Sequence, residues 1–303
     1  MGWRVVYISN PAYLSLKNSN LLIDQKSLGE KVSIDLEDIS VIMIESREST
    51  LTTGLLSAIA KEKIALFICD EYHHPNGLFL PFSQHSRFSK IAHIQKEISQ
   101  PLKNRLWQKI IQTKVLNQAK ALQICDKEGY EKLKNLSKKV QSNDKTYIES
   151  YAASEYFGYM FDELNRRDSM DGRNGALNYG YAIIRGAISR TLSAYGFVPA
   201  FGLQHCSELN AFNLSDDLIE PFRAFVDVEV MKMYGDFNSK EIFLNKDQRI
   251  QLLNLLTIFV NIDGEKLSIL NTIEKMVQTL QKAYSENDYT LLKLPTFIEG
   301  YQA

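Results

Sequence analysis

Four residues of this sequence have the side chains of a metal site. His205 is one of only five histidines in the chain, and it is followed by Asp217 and Glu220. Glu149 adds a further carboxylate from an earlier segment with helical spacing. One imidazole with two or three carboxylates suits Mg²⁺ or Mn²⁺ better than zinc, which draws more on Cys and His. Such an ion usually handles phosphate, because it polarises a phosphoryl oxygen and offsets developing charge.

The same acids also allow a purely structural interpretation. Asp217 has the side chain of a helix N-cap, Glu220 would then complete a capping box, and Pro221 is tolerated in the first helical turn. The two interpretations are compatible, since the start of a helix can also present a carboxylate outward. The segment alone therefore leaves both open.

The elements that carry these residues follow from the spacing of apolar side chains. Residues 1–85 are mostly short β-branched and aromatic runs separated by turn residues, which predicts strands with one helix among them at residues 49–60. The strands are predicted at residues 3–8, 13–16, 21–24, 32–36, 39–45, 64–69 and 78–82. Short strands at this spacing indicate a small β-sandwich or a pair of packed sheets.

From residue 86 the pattern is helical to the end of the sequence. Helices are predicted at residues 102–124, 130–140, 145–165, 177–194, 221–234, 247–260 and 265–284. The fourth of these is mostly apolar and should form the buried centre, so its polar Asn178 needs a partner, and we expect it to support the site. The fold class is therefore α+β: an N-terminal β-rich domain, residues 1–85, followed by a larger all-α domain, residues 86–303, that carries the site.

Positive charge is concentrated in one part of a nearly neutral chain. The formal net charge is −1, yet residues 87–145 hold 14 lysines and arginines against 5 acids, a net of +9. A segment of this kind can hold a polyanion such as DNA, although a solvated helix face would have the same composition. The DNA-contact candidates are Lys103, Arg105, Lys109 and Lys114.

Several features favour a cytoplasmic protein. No window of 18 consecutive apolar residues is present, so we expect no membrane span. The N-terminus lacks the charged and apolar regions of a signal peptide. The three cysteines, Cys69, Cys125 and Cys206, are an odd number without CxxC spacing, which fits a reducing compartment.

Several motifs occur together in the order of a known family. They are WRVVYIS, ICDEYHHPNGLFLPFSQHSR, LWQKIIQTKVLNQA, ESYAASEYF, ALNYGYAIIRG and GLQHCSELNAFNLSDDLIEPFR. With these motifs the chain resembles the Cas1 family of CRISPR-associated integrases, most closely its type II form, over nearly its whole length. Each motif alone is weak, but a helical Glu before Ala-Ala, a GxxH and a later DLxExFR form a specific set.

The resemblance implies a site and an activity. The family's three metal ligands fall on Glu149, His205 and Glu220, the last being Asp in many relatives and Glu in the type II branch. Asp217 matches a second acid near the site. The implied function is a metal-dependent endonuclease and integrase of CRISPR adaptation, which joins the 3′-hydroxyl ends of a short prespacer duplex to the CRISPR repeat by transesterification, with Mg²⁺ or Mn²⁺ as cofactor.

The resemblance also implies partners. The family forms homodimers through the N-terminal domain, and two dimers flank a dimer of the small second universal adaptation protein in a heterohexamer that holds double-stranded DNA. Whether the type II effector nuclease and an accessory adaptation protein take part is left open by the sequence.

Two other functions are compatible with the same residues. A metal-dependent DNA nuclease of repair could use the same site, with water replacing the 3′-hydroxyl as nucleophile. A non-catalytic DNA-binding scaffold is the other alternative, in which His205 and the acids are only structural. Joined strands would indicate an integrase, shortened strands a nuclease, and DNA binding that ignores metal a scaffold.

Overall fold

The protein is described here by a computed structural model. It covers residues 2–25, 28–80, 87–168, 170–235 and 243–301. In this part of the chain strands dominate the N-terminal region and helices most of the remainder, so the α+β fold class is confirmed. The predicted domain border at residues 85 and 86 falls between residues 80 and 87 and lies outside the described residues. The division into domains stays a prediction.

Two four-stranded sheets form the N-terminal region. Their strands are β1 (Arg4–Ile8), β2 (Tyr13–Lys17), β3 (Asn20–Gln25), β4 (Glu30–Asp35), β5 (Ile39–Ile44), β6 (Thr50–Leu51), β7 (Ala65–Cys69) and β8 (Pro75–Phe79). The first sheet has the order β1-β5-β7-β8, in which only β8 runs antiparallel to its neighbour. The second has the order β4-β3-β2-β6. The helix α1 (Thr53–Lys61) begins at the N-cap Thr52, whose side chain accepts the N–H of Leu55.

The strand β5 is buried on both faces, which explains its unbroken apolar sequence. Ile42 and Ile44 pack into the core between the two sheets, as expected for a sandwich-like pair. Val41 and Met43 point the other way, into a core shared with the helices that follow. The first sheet therefore joins the β-rich region to the helical region through one continuous apolar interior.

The helical region contains nine α-helices within the described residues. They are α2 (Phe88–Glu97), α3 (Gln100–Ile124), α4 (Tyr130–Ser137), α5 (Ile148–Met160), α6 (Gly172–Ala194), α7 (Asn213–Ile219), α8 (Arg223–Tyr234), α9 (Lys246–Leu253) and α10 (Ile269–Glu286). A short 3₁₀ turn, Glu220–Phe222, links α7 to α8. None of the helices in the described ranges is both long and apolar enough to cross a membrane.

The buried centre of the helical region is α6, as predicted. It begins at Gly172, ahead of the predicted residue 177, because the carboxylate of Asp171 caps it by accepting the N–H of Arg173. Gly186 lets α6 approach the first sheet, since a Cβ at this position would collide with the ring of Phe67 on β7.

The prediction of a wholly helical second half is wrong in one place. The helix predicted at residues 247–260 ends at Leu253, and the chain then forms the hairpin β9 (Phe259–Ile262) and β10 (Glu265–Ser268). The two central residues, Asp263 and Gly264, both have positive φ, which is the geometry of a tight hairpin turn. Asp-Gly beside β-branched and aromatic residues was the signal for this hairpin.

Candidate functional site

The candidate site lies where four elements of the helical region meet. Lys114 comes from the middle of α3, Glu149 from the first turn of α5, and Glu220 from the turn after α7. His205 lies on the loop before α7. Residues far apart in the sequence are thus brought together by helix packing around α3.

Lys114 links two of the predicted metal ligands. Its Nζ lies 2.7 Å from Oε1 of Glu149 and 2.5 Å from Oε2 of Glu220. The lysine side chain is only 9% exposed. Burial disfavours its charge, but the two carboxylates outweigh this effect and raise the pKa of Lys114 above its ordinary value. The ammonium therefore stays charged and holds the two carboxylates close to each other.

Glu220 is the more deeply buried of these carboxylates. Its Oε1 accepts the Nε–H of Arg223 at 2.8 Å, whereas its Oε2 has only the close ionic contact with Lys114 and no hydrogen bond of good geometry. Burial alone would raise the pKa of Glu220, but Lys114 and Arg223 hold it at about 2. Asn117 on α3 fixes the turn itself, because it donates to the carbonyl of Pro221 at 2.7 Å.

Glu149 is positioned by the loop that precedes α5. The carboxylate of Asp144 accepts the backbone N–H groups of Ile148 and Glu149, both at 2.9 Å. These N–H groups belong to the first turn of the helix, which has no internal partners for them. Tyr147 immediately before the helix has left-handed backbone geometry with φ of 52°. Asp144 therefore determines where α5 begins and where Glu149 stands.

His205 is oriented by Asp217. The imidazole Nδ1 lies 2.8 Å from Oδ1 of Asp217, and the same carboxylate accepts the backbone N–H groups of Leu203, Gln204 and His205. Because a carboxylate only accepts, Nδ1 carries a hydrogen, and in the neutral ring Nε2 then has the free lone pair. The hydrogen bond to Asp217 raises the pKa of His205, and the charge of Glu220 adds to this effect.

The structural interpretation of Asp217 as an N-cap is therefore wrong. Asp217 lies inside α7, which begins at Asn213, and it is fully buried. It holds the loop that carries His205 instead of capping a helix. The edge of Trp107 packs at right angles to the His205 ring, with the ring centroids 5.9 Å apart, and supports the ring from α3.

The arrangement fits a hard divalent cation by its chemistry, although the described residues contain no group of three or more His, Cys, Asp or Glu close enough to hold an ion. The Oε2 atom of Glu220 is buried without a hydrogen bond, and it shares its one cation with Glu149. The Nε2 atom of His205 would be a third metal ligand. The carboxylate of Asp217 holds the ring in place through Nδ1, as is usual for metal-binding histidines. The chemistry of these residues suits a metal ion, and the assignment of a metal to this site stays a prediction.

The structure does not bring Asn178 into this group. Its side chain is exposed and accepts a hydrogen bond from Arg166 at 3.2 Å, and it makes no bond to Glu149, His205 or Glu220 within the described residues. The mostly apolar sequence of α6 indicates a buried helix, but it does not indicate which of its polar residues point inward. Asn178 lies on the outer face of that helix.

The four DNA-contact candidates on α3 have different surroundings. Arg105 is exposed and Lys103 is partly exposed. Lys109 is half-buried, and its Nζ donates to the carbonyl of Thr290 at 2.9 Å. Lys114 does not have the surface position that a phosphate contact needs, because its ammonium is buried between two carboxylates. Its spacing was the available signal: it lies four residues after Ile110 on the buried side of α3, where a charged group needs partners.

Two further residues of the site were not singled out from the sequence. Asp144 follows Asn143 between the helices predicted at residues 130–140 and 145–165, which is the composition of an N-terminal cap. Arg223 lies three residues after Glu220, a spacing at which side chains on a helical turn meet. Asp144 could be recognised from its position just before the helix that carries Glu149, and Arg223 from its spacing from Glu220.

Comparison with known proteins agrees with the motif pattern. The profile of the family described as CRISPR associated protein Cas1 matches residues 5–255. The CRISPR-associated endonuclease Cas1 of Neisseria meningitidis serogroup C (strain 8013) is 41% identical over 302 residues, covering 98% of this chain and 97% of that protein.

Two solved structures share the fold. A casposase bound to its integration product superposes with a TM-score of 0.75 at 18% identity, covering 95% of this chain and 93% of the casposase. A chain of a Cas6-RT-Cas1–Cas2 complex superposes with a TM-score of 0.71 at 18% identity, covering 99% of this chain and 36% of that one. At this identity the superpositions show a common fold.

Proposed function

Because this chain belongs to the CRISPR-associated Cas1 family, we propose that it is a DNA endonuclease and integrase of CRISPR adaptation. The 41% identical relative is named as an endonuclease, and the match covers 97% of its length. The observation that carries the proposal is the convergence of Glu149 and Glu220 on the ammonium of Lys114. Two acidic groups at one point are what phosphoryl chemistry with a divalent ion requires.

The proposed reaction joins a short prespacer duplex to the CRISPR repeat. The 3′-hydroxyl oxygen of the incoming strand attacks a phosphodiester phosphorus of the repeat, and its proton passes to solvent. A new phosphorus–oxygen bond forms, and the bond to the 3′-oxygen of the repeat strand breaks. That oxygen takes up a proton from solvent and becomes a 3′-hydroxyl. The DNA supplies the nucleophile, so no covalent bond to the protein is needed.

The cofactor proposed for this reaction is Mg²⁺ or Mn²⁺, held by Glu149, Glu220 and the Nε2 of His205. When bound, such an ion polarises the scissile phosphate and offsets the charge that develops on it. The chain's own contribution is positioning. Asp217 keeps the His205 lone pair in one direction, and Arg223 holds the second oxygen of Glu220.

Duplex DNA would be held mainly through its phosphates. The basic segment at residues 87–145 includes the exposed side of α3, where Lys103 and Arg105 remain available for such contacts. Lysine and arginine contacts to phosphate give affinity without reading the base sequence, and they weaken as salt is added. We expect binding of prespacer DNA to fall steeply between low and physiological ionic strength.

The proposed assembly is a heterohexamer in which two homodimers flank a dimer of the small partner protein Cas2. Support comes from the shared fold with a chain of the Cas6-RT-Cas1–Cas2 complex. Involvement of a type II effector nuclease and an accessory adaptation protein is an extension of this proposal. A cytoplasmic location is part of it too, in keeping with the three free cysteines.

A strand-transfer assay tests the function. It combines a short duplex with free 3′-hydroxyls, a plasmid bearing a repeat, the partner protein Cas2, and Mg²⁺ or Mn²⁺. Joined product is expected from the wild type and none from His205→Ala or Glu149→Ala. Glu155→Ala is the matched control on α5, since Glu155 pairs with Lys132 on the surface.

The products separate the alternatives. Shortened or nicked DNA without joining would make the protein a repair-type nuclease. DNA binding with neither reaction, and with no dependence on metal, would make it a scaffold. Full integration by Glu149→Ala in Mn²⁺ would overturn the site assignment.

A further inference from the structure

The ammonium of Lys114 lies between the two carboxylates that a divalent ion would need as ligands, those of Glu149 and Glu220. Lys114 Nζ contacts Glu149 and Glu220 at 2.7 and 2.5 Å, which are distances of direct ionic contact. The lysine side chain is 9% exposed and that of Glu220 is 5% exposed. Little water can screen the charges of Lys114 and Glu220, so their interaction is strong, whereas Glu149 is 29% exposed and is screened more.

The charges of this cluster already balance. Lys114 and Arg223 are positive, and Glu149 and Glu220 are negative. The carboxylate of Asp217 behind the imidazole adds one further negative charge. A divalent ion added to the same carboxylates would still leave excess positive charge in a largely buried space, which is costly unless a charge leaves. The ammonium and the ion also need the same oxygen, Oε2 of Glu220, because its Oε1 is already held by Arg223.

The lysine is the member of the cluster that is best able to move. Asn117 fixes the turn that carries Glu220, and Asp144 fixes the start of the helix that carries Glu149. Lys114 has a flexible four-carbon side chain, and within the described residues its ammonium pairs with Glu149 and Glu220 alone. A displacement of the ammonium breaks two ionic contacts but no backbone hydrogen bond, whereas a displacement of either carboxylate disturbs a helix end.

We propose that Lys114 is a built-in competitor of the divalent ion: its ammonium occupies Glu149 and Glu220 and is displaced when the ion binds. This inference rests on the proposed metal-dependent function. Lys114 would keep the two carboxylates together without metal, which stabilises the fold, and would thereby weaken the affinity of the site for metal.

The test is a titration of the chelator-treated, full-length protein with Mn²⁺, in which free Mn²⁺ is measured by electron paramagnetic resonance. Lys114→Met should bind Mn²⁺ about tenfold more tightly than the wild type or better, because a close buried charge pair has been removed. Its melting temperature should be lower without Mn²⁺ and should rise more on addition of Mn²⁺. Lys120→Met is the control on α3, since Lys120 contacts Gln123 and, among the residues that the structure describes, pairs with no carboxylate.

Equal or weaker Mn²⁺ binding by a folded Lys114→Met would overturn the proposal, because a merely structural lysine gives no gain in affinity. If Lys114→Met does not fold, Lys114→Gln replaces it with a polar side chain. If neither folds, the ¹³Cε NMR signal of Lys114 in the wild type decides: a shift on Mg²⁺ addition supports displacement, and an unchanged signal overturns it.

The same titration separates this inference from the proposed function. If the wild type binds no Mn²⁺ at millimolar concentration and the folded lysine variants bind none either, the metal-dependent function fails and the competition with it. If the wild type binds Mn²⁺ and His205→Ala does not, but Lys114→Met equals the wild type, only the role of Lys114 fails.

Discussion

The Nδ1 atom of His205 lies 2.8 Å from Oδ1 of Asp217. Asp217 is fully buried inside α7, and its carboxylate also accepts the backbone N–H groups of Leu203, Gln204 and His205 itself. One carboxylate thus fixes the ring and the loop that carries it. The orientation of His205 is therefore determined by the folding of α7, not by the loop alone.

Replacement of Asp217 should disable the site more than it damages the fold. Asp217→Asn turns one acceptor oxygen into a donor that faces N–H groups, so we expect a loss of about 1–3 kcal/mol in unfolding free energy. Strand transfer should fall about 10- to 100-fold, as for other residues that orient a metal-binding histidine. Rates at saturating Mn²⁺ and thermal unfolding measure the two effects.

Asp216→Asn is the matched control for this change. Asp216 is the residue just before Asp217 on α7, but its carboxylate pairs with Arg185 and not with His205. It should lose some stability and retain most of the transfer rate. Equal rates for the two variants would contradict an orienting role of Asp217.

The cap of α5 should be needed for metal affinity. Asp144→Ala leaves the first N–H groups of the helix without their acceptor, which should cost about 1 kcal/mol of stability. Because one of these N–H groups belongs to Glu149, the start of the helix should become mobile and Mn²⁺ affinity should fall several-fold. Asp144→Asn keeps one acceptor oxygen and should lie between the alanine variant and the wild type. Unchanged Mn²⁺ binding in the alanine variant would show that Glu149 does not depend on this cap.

The elements of the site could be predicted from the sequence better than its contacts. The apolar spacing located α3, α5 and α6, since long periodic helices leave a clear pattern. Their packing around a lysine could not be predicted, because periodicity indicates which face is buried but not what that face meets. Lys114 was therefore assigned to the surface, although four-residue spacing from Ile110 indicated the interior.

Short-range turn chemistry explains the remaining differences. Asp217 was interpreted as a helix start because Asp, Glu and Pro at this spacing are typical of one, yet the helix begins earlier, at Asn213. Between α9 and the hairpin turn, the mostly apolar residues from Leu255 to Val260 fit a buried helix as well as a strand. Only the Asp263-Gly264 turn distinguishes the two.

The buried Asp227 should make stability depend on pH. Burial raises the pKa of Asp227 to about 6, although it accepts hydrogen bonds from the hydroxyls of Tyr181 and Tyr156. Below its ordinary pKa of 3.8 the residue is protonated in both states, and its contribution is fully present. As pH rises through about 6 the folded protein must ionise a buried group, so about 3 kcal/mol of stability is lost.

Urea unfolding between pH 4 and 7 tests this dependence. The unfolding free energy of the wild type, minus that of Asp227→Asn, should fall by about 2 kcal/mol across this range, because asparagine does not titrate and part of the loss has already occurred at pH 4. The comparison cancels the other carboxylates, including Glu220, whose pKa of about 2 places its effect at lower pH. A difference that stays constant with pH would mean that Asp227 is not the responsible group.

Gly202 should be required for the loop that presents His205. A Cβ at Gly202 would collide with the carbonyl oxygen of His205 and lie 2.8 Å from Oδ2 of Asp217. Neither atom can retreat, since the carboxylate is buried and bonded to the same loop. Gly202→Ala should therefore cost about 1–3 kcal/mol of stability and should lower Mn²⁺ affinity by displacing the imidazole.

Gly54→Ala on α1 is the matched control, because its Cβ would meet open space, and it should stabilise the protein by up to about 1 kcal/mol. If Gly202→Ala melts and binds Mn²⁺ like the wild type, the loop is not held as tightly by Asp217 as the contacts indicate.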